Sequence, residues 1–497
     1  MISLAPATAM GLAFLIVLLD TLKVRGWPVR LAFLTGAVLP GLVLLLSDPV
    51  EVVGGWDRRA GIEVAFTPLN APFLVGEGVL FLFVALYAVS YFREDGRYAK
   101  VLSLLLLMHA GLMGAFVARD LFNFYIYSEI ASVSAFALVA LPGKEARRAA
   151  FKYLIVSLLA SYLFVFAVGI IYMETGYLNV ALIAENAVES RELSVALGIA
   201  LSALLLKAGI FPLHSWLPDA HSMAPTPVSA MLSGALVKAP AYGMVLLISS
   251  LPSGEALRTA LLAVAVASLF FGVAMALLQK NAKRLLAYHT VSQMGYVLLG
   301  IASLNFLGAA YYAMAHSIFK GGLFLGVGSL AGERKELGTF GYRGDHFLSI
   351  SIIALSLAIG GVSPLVGAYG KGLLYENLDG LWKLAVPAGS VGTLASFTKL
   401  NAHLAAKRAG KIPLRLKVPV FGLALAAIAG GVYLNPHPNP KDTLYLALAV
   451  ALFLLLRRAG LLGIKGAEKG GEIGEEINRL VAGLVAFVVL LSLIQGL

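Results

Sequence analysis

Residues Ser202 to Lys238 read SALLLKAGIFPLHSWLPDAHSMAPTPVSAMLSGALVK. An apolar run carries Lys207, stops at Pro212 and passes through a polar hinge with His214, Asp219 and His221. It then resumes as a second apolar run carrying Lys238. A lysine near the middle of a bilayer costs on the order of a few kcal/mol, so two of them flanking a proline break point to an ion path.

The rest of the chain supplies the bilayer setting. Its 497 residues are 59% hydrophobic and 13% charged, with a mean hydropathy of +0.87. A spanning helix needs roughly 20 apolar residues, and such runs recur from end to end. They lie at about 1–20, 28–47, 72–92, 100–118, 120–141, 148–173, 193–213 and 225–250 (spans 1 to 8). Spans 9 to 16 follow at about 256–278, 285–304, 306–331, 348–378, 384–405, 414–434, 443–458 and 478–497. The expected fold is therefore an all-α polytopic membrane protein of about 14–16 transmembrane helices. The short alternating segments of a membrane β-barrel are missing. The first run has no preceding basic residue and no small-residue cleavage site, so it reads as a spanning helix rather than a removed signal.

Cysteine is absent, which excludes disulfides, thiolate zinc sites and cysteine-held iron–sulfur clusters within the chain. No cofactor or metal is expected here, and any redox chemistry belongs to a partner. The formal net charge is +11, and its distribution explains it. With the N-terminus outside, the outer loops hold Arg58, Arg59, Arg119, Arg191, Arg258, Lys383 and Lys441. Lys207, Lys238, Lys320, Lys371 and Lys399 fall within spans, and the remaining Lys and Arg gather on the inner side. That is the positive-inside pattern of a multi-pass protein of the cytoplasmic membrane, not a nucleic-acid footprint. Loops are short, and the longest polar stretch, 459–477, reads as a flexible connector or a surface helix.

Glu129 sits mid-helix in LFNFYIYSEIASVSAFALVA, the carboxylate expected deep in a span beside the five lysines. Burial raises a carboxyl pKa and lowers an ammonium pKa by up to about 3–5 pH units, which suits groups that load and release protons. Static buried pairs holding helices together are the plainer reading, but so many such groups in one chain favour a relay. His316 and Lys320 are four residues apart and share a helical face, and His214, His289 and His109 add imidazoles with proton-shuttle capacity. His214, Asp219 and His221 match no firm metal-ligand spacing. Pro212 breaks span 7, and Ser363-Pro364 with Gly367 and Gly370 breaks span 12 just before Lys371. Broken helices at membrane depth line polar cavities in transporters. The two breaks share a Pro-Leu step five spans apart, the pattern of a tandem unit that emerges inverted.

Five features carry a family resemblance: Glu129 in its span, KAGIFPLHSWLPDAHSMAPTPVSAMLSGALVKAPAYG from Lys207, KRLLAYHTVSQMGY from Lys283, HSIFKGGLFLGVGSL from His316, and Lys371 after a proline-broken turn. From about span 4 to span 13 the chain resembles the antiporter-like subunits shared by respiratory complex I, Mrp-type Na+/H+ antiporters and energy-converting membrane-bound hydrogenases. The resemblance implies two inverted five-helix repeats, spans 4–8 and 9–13, with helices 7 and 12 broken. The parts would be 1–99 (N-terminal helices), 100–250 (first half-channel), 256–405 (second half-channel) and 406–497 (C-terminal helices). It implies that Glu129 and Lys207 form the gating pair and that Lys238 passes charge inward. His316 and Lys320 would continue the central axis to Lys371, with His214 near the inner mouth.

His289 stands where a serine is common, and Ser-Pro replaces a frequent Pro-Pro in span 12. No long amphipathic arm separates the last two spans, unlike the largest complex I subunit of this type. The implied function is proton translocation within a multisubunit complex, driven by a partner redox module carrying iron–sulfur clusters or nickel–iron. The partners implied are other integral membrane subunits, the bilayer and H+, with Na+ as the alternative ion. The alternatives are an Mrp-type Na+/H+ antiporter subunit without a redox module, and a structural subunit that transports nothing.

Overall fold

The computed structural model describes residues 1–462 and 473–494. Helices α1 (Leu4–Thr21) and α2 (Trp27–Leu45) lead into two short strands, β1 (Val50–Val52) and β2 (Glu63–Ala65), and then α3 (Ala71–Tyr91). Next come α4 (Tyr98–Val117), α5 (Leu121–Val139), α6 (Lys144–Thr175) and the short α7 (Val180–Asn186). The break described by the opening stretch lies between α8 (Arg191–Ala208) and the short α9 (Trp216–Met223). α10 (Thr226–Met231), a π-helical turn (Leu232–Leu236) and α11 (Lys238–Ser250) form one run. α12 (Glu255–Leu278), α13 (Ala282–Ala302) and α14 (Phe306–Ala331) follow. The second break separates α15 (His346–Gly360) from α16 (Val366–Glu376). The chain continues through α17 (Gly380–Ala406), α18 (Leu414–Leu434), α19 (Lys441–Arg458) and α20 (Ile473–Ile494).

Among the described residues eleven helices are long and apolar enough to cross a membrane. The expected spans 7, 11, 12, 13 and 15 are the ones outside that set, and composition accounts for it. α8 carries Arg191, Glu192 and Lys207; α14 carries His316, Lys320 and several serines and glycines; span 12 is split in two. α17 holds Lys383, Lys399 and His403, and α19 starts at Lys441-Asp442 and ends at Arg457-Arg458. Three of these five expected spans therefore carry the relay candidates Lys207, His316, Lys320 and Lys371.

The helical class holds, with one addition: β1 pairs antiparallel with β2, Val50 opposite Ala65 and Val52 opposite Glu63. One expectation needs correction. Glu129 is not alone as a deep carboxylate, since Glu77 on α3 is fully buried. Most of the connector expected over 459–477, with Lys465 and Lys469, lies outside the described residues.

Side-chain caps set many helix starts: Asp120, Ser190, Asn281, Asn305 and Asp345 each accept a hydrogen bond from a first-turn N–H, worth about 1 kcal/mol apiece. The 226–250 run and α13 are buried along their whole length, while α1, α2, α18 and α20 expose most of theirs. Leu18, Leu42, Leu425 and Val485 are among the exposed apolar groups, which face lipid at no hydrophobic cost. Without a hydrophobic drive between helices in lipid, close backbone approach supplies the packing. A Cβ on Gly272 of α12 would lie 2.4 Å from the Ser292 nitrogen of α13, and one on Gly295 of α13 would lie 2.7 Å from the Ala265 oxygen of α12.

Polar contacts sort to two ends of the bundle. At the hairpin end Ser3 donates from its N–H and Oγ to Glu51, and Glu63 accepts from Arg58 and from Asn179 (3.1 Å). At the other end Arg284 and Lys152 share Asp219 at 2.6 and 2.9 Å. Lys152 also meets Glu476, and Lys417 pairs with Asp345 at 2.5 Å. This second end collects the residues expected on the basic, inner face.

Candidate functional site

The first break is built by its own sequence. Gly209 ends α8 with φ +66°, a left-handed conformation that glycine adopts without steric cost. Its N–H and that of Ile210 donate to Leu206 and Leu205 carbonyls, closing the helix end. Trp216 Nε1 donates back to the Leu206 oxygen at 2.9 Å, pinning the chain after the turn. Lys207 therefore stands in the last turn before a helix end and cannot slide along a continuous helix.

That position sets its partner. Lys207 Nζ lies 2.6 Å from Glu129 Oε1 on α5, and Ser161 Oγ of α6 donates to the same oxygen at 2.5 Å. Two spans far apart in sequence thus deliver opposite charges to one point. Beside the pair is a cavity of about 30 Å³, room for one water molecule. Ser128, Ser132, Ser157 and Lys207 line it, as do Leu236, Ala239 and Pro240 of the segment that bears Lys238.

Lys238 opens α11, is buried, and donates to the Ser233 carbonyl within the π-helical turn. The wide turn leaves a carbonyl available to a side chain, and such turns recur at functional sites. Ser233 Oγ is 2.7 Å from Thr290 Oγ1 of α13, which carries polar contact to the next helix. On α14, His316 and Lys320 are fully buried, and neither ring nitrogen of His316 nor Lys320 Nζ has a hydrogen-bond partner among the described residues. Lys320 Nζ is 5.9 Å from the Phe324 ring centre, a cation–π distance. His289 Nε2 is 2.6 Å from Ser396 Oγ, so it is tied to α17.

The second break repeats the local design of the first. Gly361 takes φ +86° three residues before Pro364, as Gly209 precedes Pro212 by three, and both prolines are cis. The lysine differs in place: Lys371 lies after the break, on α16, and reaches back. Its Nζ donates at 3.0 Å to the carbonyls of Ile359 and Gly360 and to Ser390 Oγ, and lies 4.6 Å from the Tyr296 ring centre. Asp442 of α19 accepts from the Ser363 N–H at 2.7 Å and from its hydroxyl.

The structure thus brings Glu129 and Lys207 together, sets Lys207 on a small cavity that the neighbours of Lys238 also line, and places His316, Lys320 and Lys371 in the buried interior. The His214 ring packs on Phe211, Phe271 and Tyr288, none of them a relay candidate. Asp219 is held by Lys152 and Arg284, and His221 stacks on Phe324. Ser161, the π-helical turn and Asp442 were not read from the sequence. Only Asp442, acidic beside a span start, left a signal there.

The NADH:quinone oxidoreductase/Mrp antiporter transmembrane family matches residues 118–394, a stretch holding every relay candidate from Glu129 to Lys371. The chain belongs to this family. It is 33% identical to an NADH-quinone oxidoreductase subunit of Desulforudis audaxviator, over 68% of this chain and 71% of that one. It is 32% identical to an Na+/H+ antiporter subunit of Alkalihalophilus pseudofirmus, over 71% of this chain and 74% of that one. Its fold is like that of a chain in the archaeal membrane-bound sulfane sulfur reductase complex, with a TM-score of 0.78, 24% identity and coverage of 93% and 99%. A chain of the Mrp complex from Dietzia sp. gives 0.77, 23%, 91% and 97%. As an antiporter-like subunit, the chain is a multi-pass membrane protein whose family match runs from α5 into α17, with α1–α4 before it and α18–α20 after it.

Proposed function

We propose that this antiporter-like subunit moves protons across the cytoplasmic membrane within a multisubunit complex, driven by a partner redox module. The observation that carries the reading is the Glu129–Lys207 pair at 2.6 Å, set at a helix break beside a cavity that faces the Lys238 segment. At an effective dielectric of about 20, two unit charges about 4 Å apart attract by roughly 4 kcal/mol. A partner that pulls Glu129 away removes that stabilisation from the Lys207 ammonium, which then gives its proton inward. Lys238, His316 and Lys320 pass charge along the centre, and Lys371 releases it beyond the second break.

In this reading residues 100–250 and 256–405 are inverted repeats, and the matching glycine–proline geometry of the two breaks supports it. The basic end is the inner face and the N-terminus lies outside, supported by the sorting of charge to one end. The likeness to the Na+/H+ antiporter subunit of Alkalihalophilus pseudofirmus favours a second reading, sodium–proton exchange without a redox partner.

The test is to purify the assembly from its native membrane, measure iron, nickel and subunit masses, and reconstitute it with wild-type or Lys207→Ala chains. Iron-containing partners with substrate-driven proton flux that Lys207→Ala abolishes are expected. A metal-free assembly with sodium-dependent exchange supports the second reading. Intact flux in Lys207→Ala overturns the relay.

A further inference from the structure

The second carboxylate buried within the bundle lies outside the relay. Glu77 on α3 and His109 on α4 are both fully buried, with His109 Nδ1 2.7 Å from Glu77 Oε1. The Phe81 ring stacks on the imidazole at 4.0 Å between centres and 3° between planes, which fixes its orientation. The pair is open at both ends: Glu77 Oε2 and His109 Nε2 have no hydrogen-bond partner among the described residues. The large majority of buried side-chain polar atoms have a hydrogen-bond partner, so two unpartnered atoms on one pair call for an explanation.

Its surroundings supply a direction. Gly76, next to Glu77, packs so closely on α14 that a Cβ there would be 2.8 Å from Met314 Cα and 3.2 Å from Ser317 Oγ. Leu80, one turn on, sits against Gly234 of the π-helical turn and Gly321 of α14. The amine and imidazole groups on α14 and at the start of α11, just past the π-helical turn, are Lys238, His316 and Lys320. The charged groups of α2 and α18, Arg30, Arg415 and Lys417, lie toward the basic end, and α10 has none. Glu77 is six residues into α3, about 9 Å below the hairpin end at 1.5 Å per residue. It is thus offset from the central lysines toward the hairpin end.

We infer that Glu77 and His109 form an additional proton-binding site, on the hairpin side of the central axis. A proton taken up at His109 Nε2 displaces the Nδ1 proton onto Glu77 Oε1. The neutral imidazole changes tautomer, the carboxylate becomes a carboxylic acid, and the pair goes from one negative charge to none. Release reverses the steps: His109 Nε2 gives up its proton as the Oε1 proton returns to Nδ1, and the pair is again an anion. The inference rests on proton translocation by this subunit, and two readouts separate the claims.

The purified complex is studied by infrared difference spectroscopy between neutral and acid pH, with and without deuterium. Wild type and Lys207→Ala are expected to show a deuterium-sensitive protonated-carboxyl band that Glu77→Gln lacks and His109→Gln shifts. In proteoliposomes Glu77→Gln is expected to lose most proton flux, although its amide keeps a hydrogen-bonding group at that place, and Glu77→Asp to recover part. A band unchanged in Glu77→Gln, or full flux in that variant while Lys207→Ala is dead, overturns this site and leaves the relay standing. Flux insensitive to Lys207→Ala overturns the translocation reading itself while the band still reports on Glu77. If Glu77→Gln does not assemble, the spectrum of His109→Gln decides: an unshifted band overturns the site.

Discussion

Lys371 Nζ lies 3.0 Å from the Gly360 carbonyl, so the lysine after the second break closes the helix before it. The last carbonyls of a helix lack intrahelical donors and carry the negative end of its dipole. Lys207 is neutralised differently, by a carboxylate from another helix. The two breaks therefore hold their lysines by unlike means: one by a carboxylate from another helix, the other by fixed backbone dipoles.

Lys371→Met removes three donated hydrogen bonds and exposes the end of α15. With charged hydrogen bonds worth about 1.5–3 kcal/mol each, a clear drop in thermal stability of the detergent-solubilised complex is expected, along with loss of proton flux. Unchanged melting would show that α15 ends without its help.

Glu129→Gln leaves the Lys207 ammonium beside a neutral amide. Proton flux should fall on the order of 10²-fold, the range for removing a proton-transfer group. The Glu129→Gln, Lys207→Ala double variant should be no worse than the weaker single, because residues acting as one unit are not additive. Multiplying losses would mean the two act separately.

Gly272→Ala places a methyl 2.4 Å from the Ser292 nitrogen. Backbone cannot give way as a flexible side chain does, so α12 and α13 must part, at about 1–3 kcal/mol. Thermal unfolding of the variant complex checks it, with Gly254→Ala, which meets no atom within 4 Å, as the control.

Glu51 lies on β1 of the hairpin, outside the spans. Its partial burial works to raise its pKa, but hydrogen bonds from the Ser3 backbone and hydroxyl, together with the Met1 ammonium, outweigh this and hold it below the usual carboxylate value. A lowered folded pKa means the tie stabilises at neutral pH and is lost as pH falls through that value. Hydrogen exchange at the start of α1 should quicken in acid in wild type and be already fast at neutral pH in Glu51→Gln.

Much of the site was legible in the residues themselves. A lysine in an apolar run is costly wherever the run packs, so Lys207, Lys238, Lys320 and Lys371 stood out before any contact was known. Pro212 and Pro364 announced the breaks because proline cannot continue a helical ladder. Glu77 left the same signal in FLVGEGVLF and was passed over, being near the start of its span. The π-helical turn left none, since LSGAL suits an ordinary helix. His214 stands out by its imidazole and its place in the motif, but its packing on Phe211, Phe271 and Tyr288 is a matter of tertiary structure.

By itself the sequence determined the membrane setting, the helical class and the points where helices stop. Each follows from the local chemistry of solvation and backbone conformation, which short stretches of residues carry. Tertiary structure alone decided the partners: Glu129 with Lys207 across 78 positions, Lys371 with the end of the preceding helix, Glu77 with His109. Partnership depends on which helix faces meet in lipid, and those faces are chosen by close packing at residues such as Gly76 and Gly272. No periodicity in one segment records that choice.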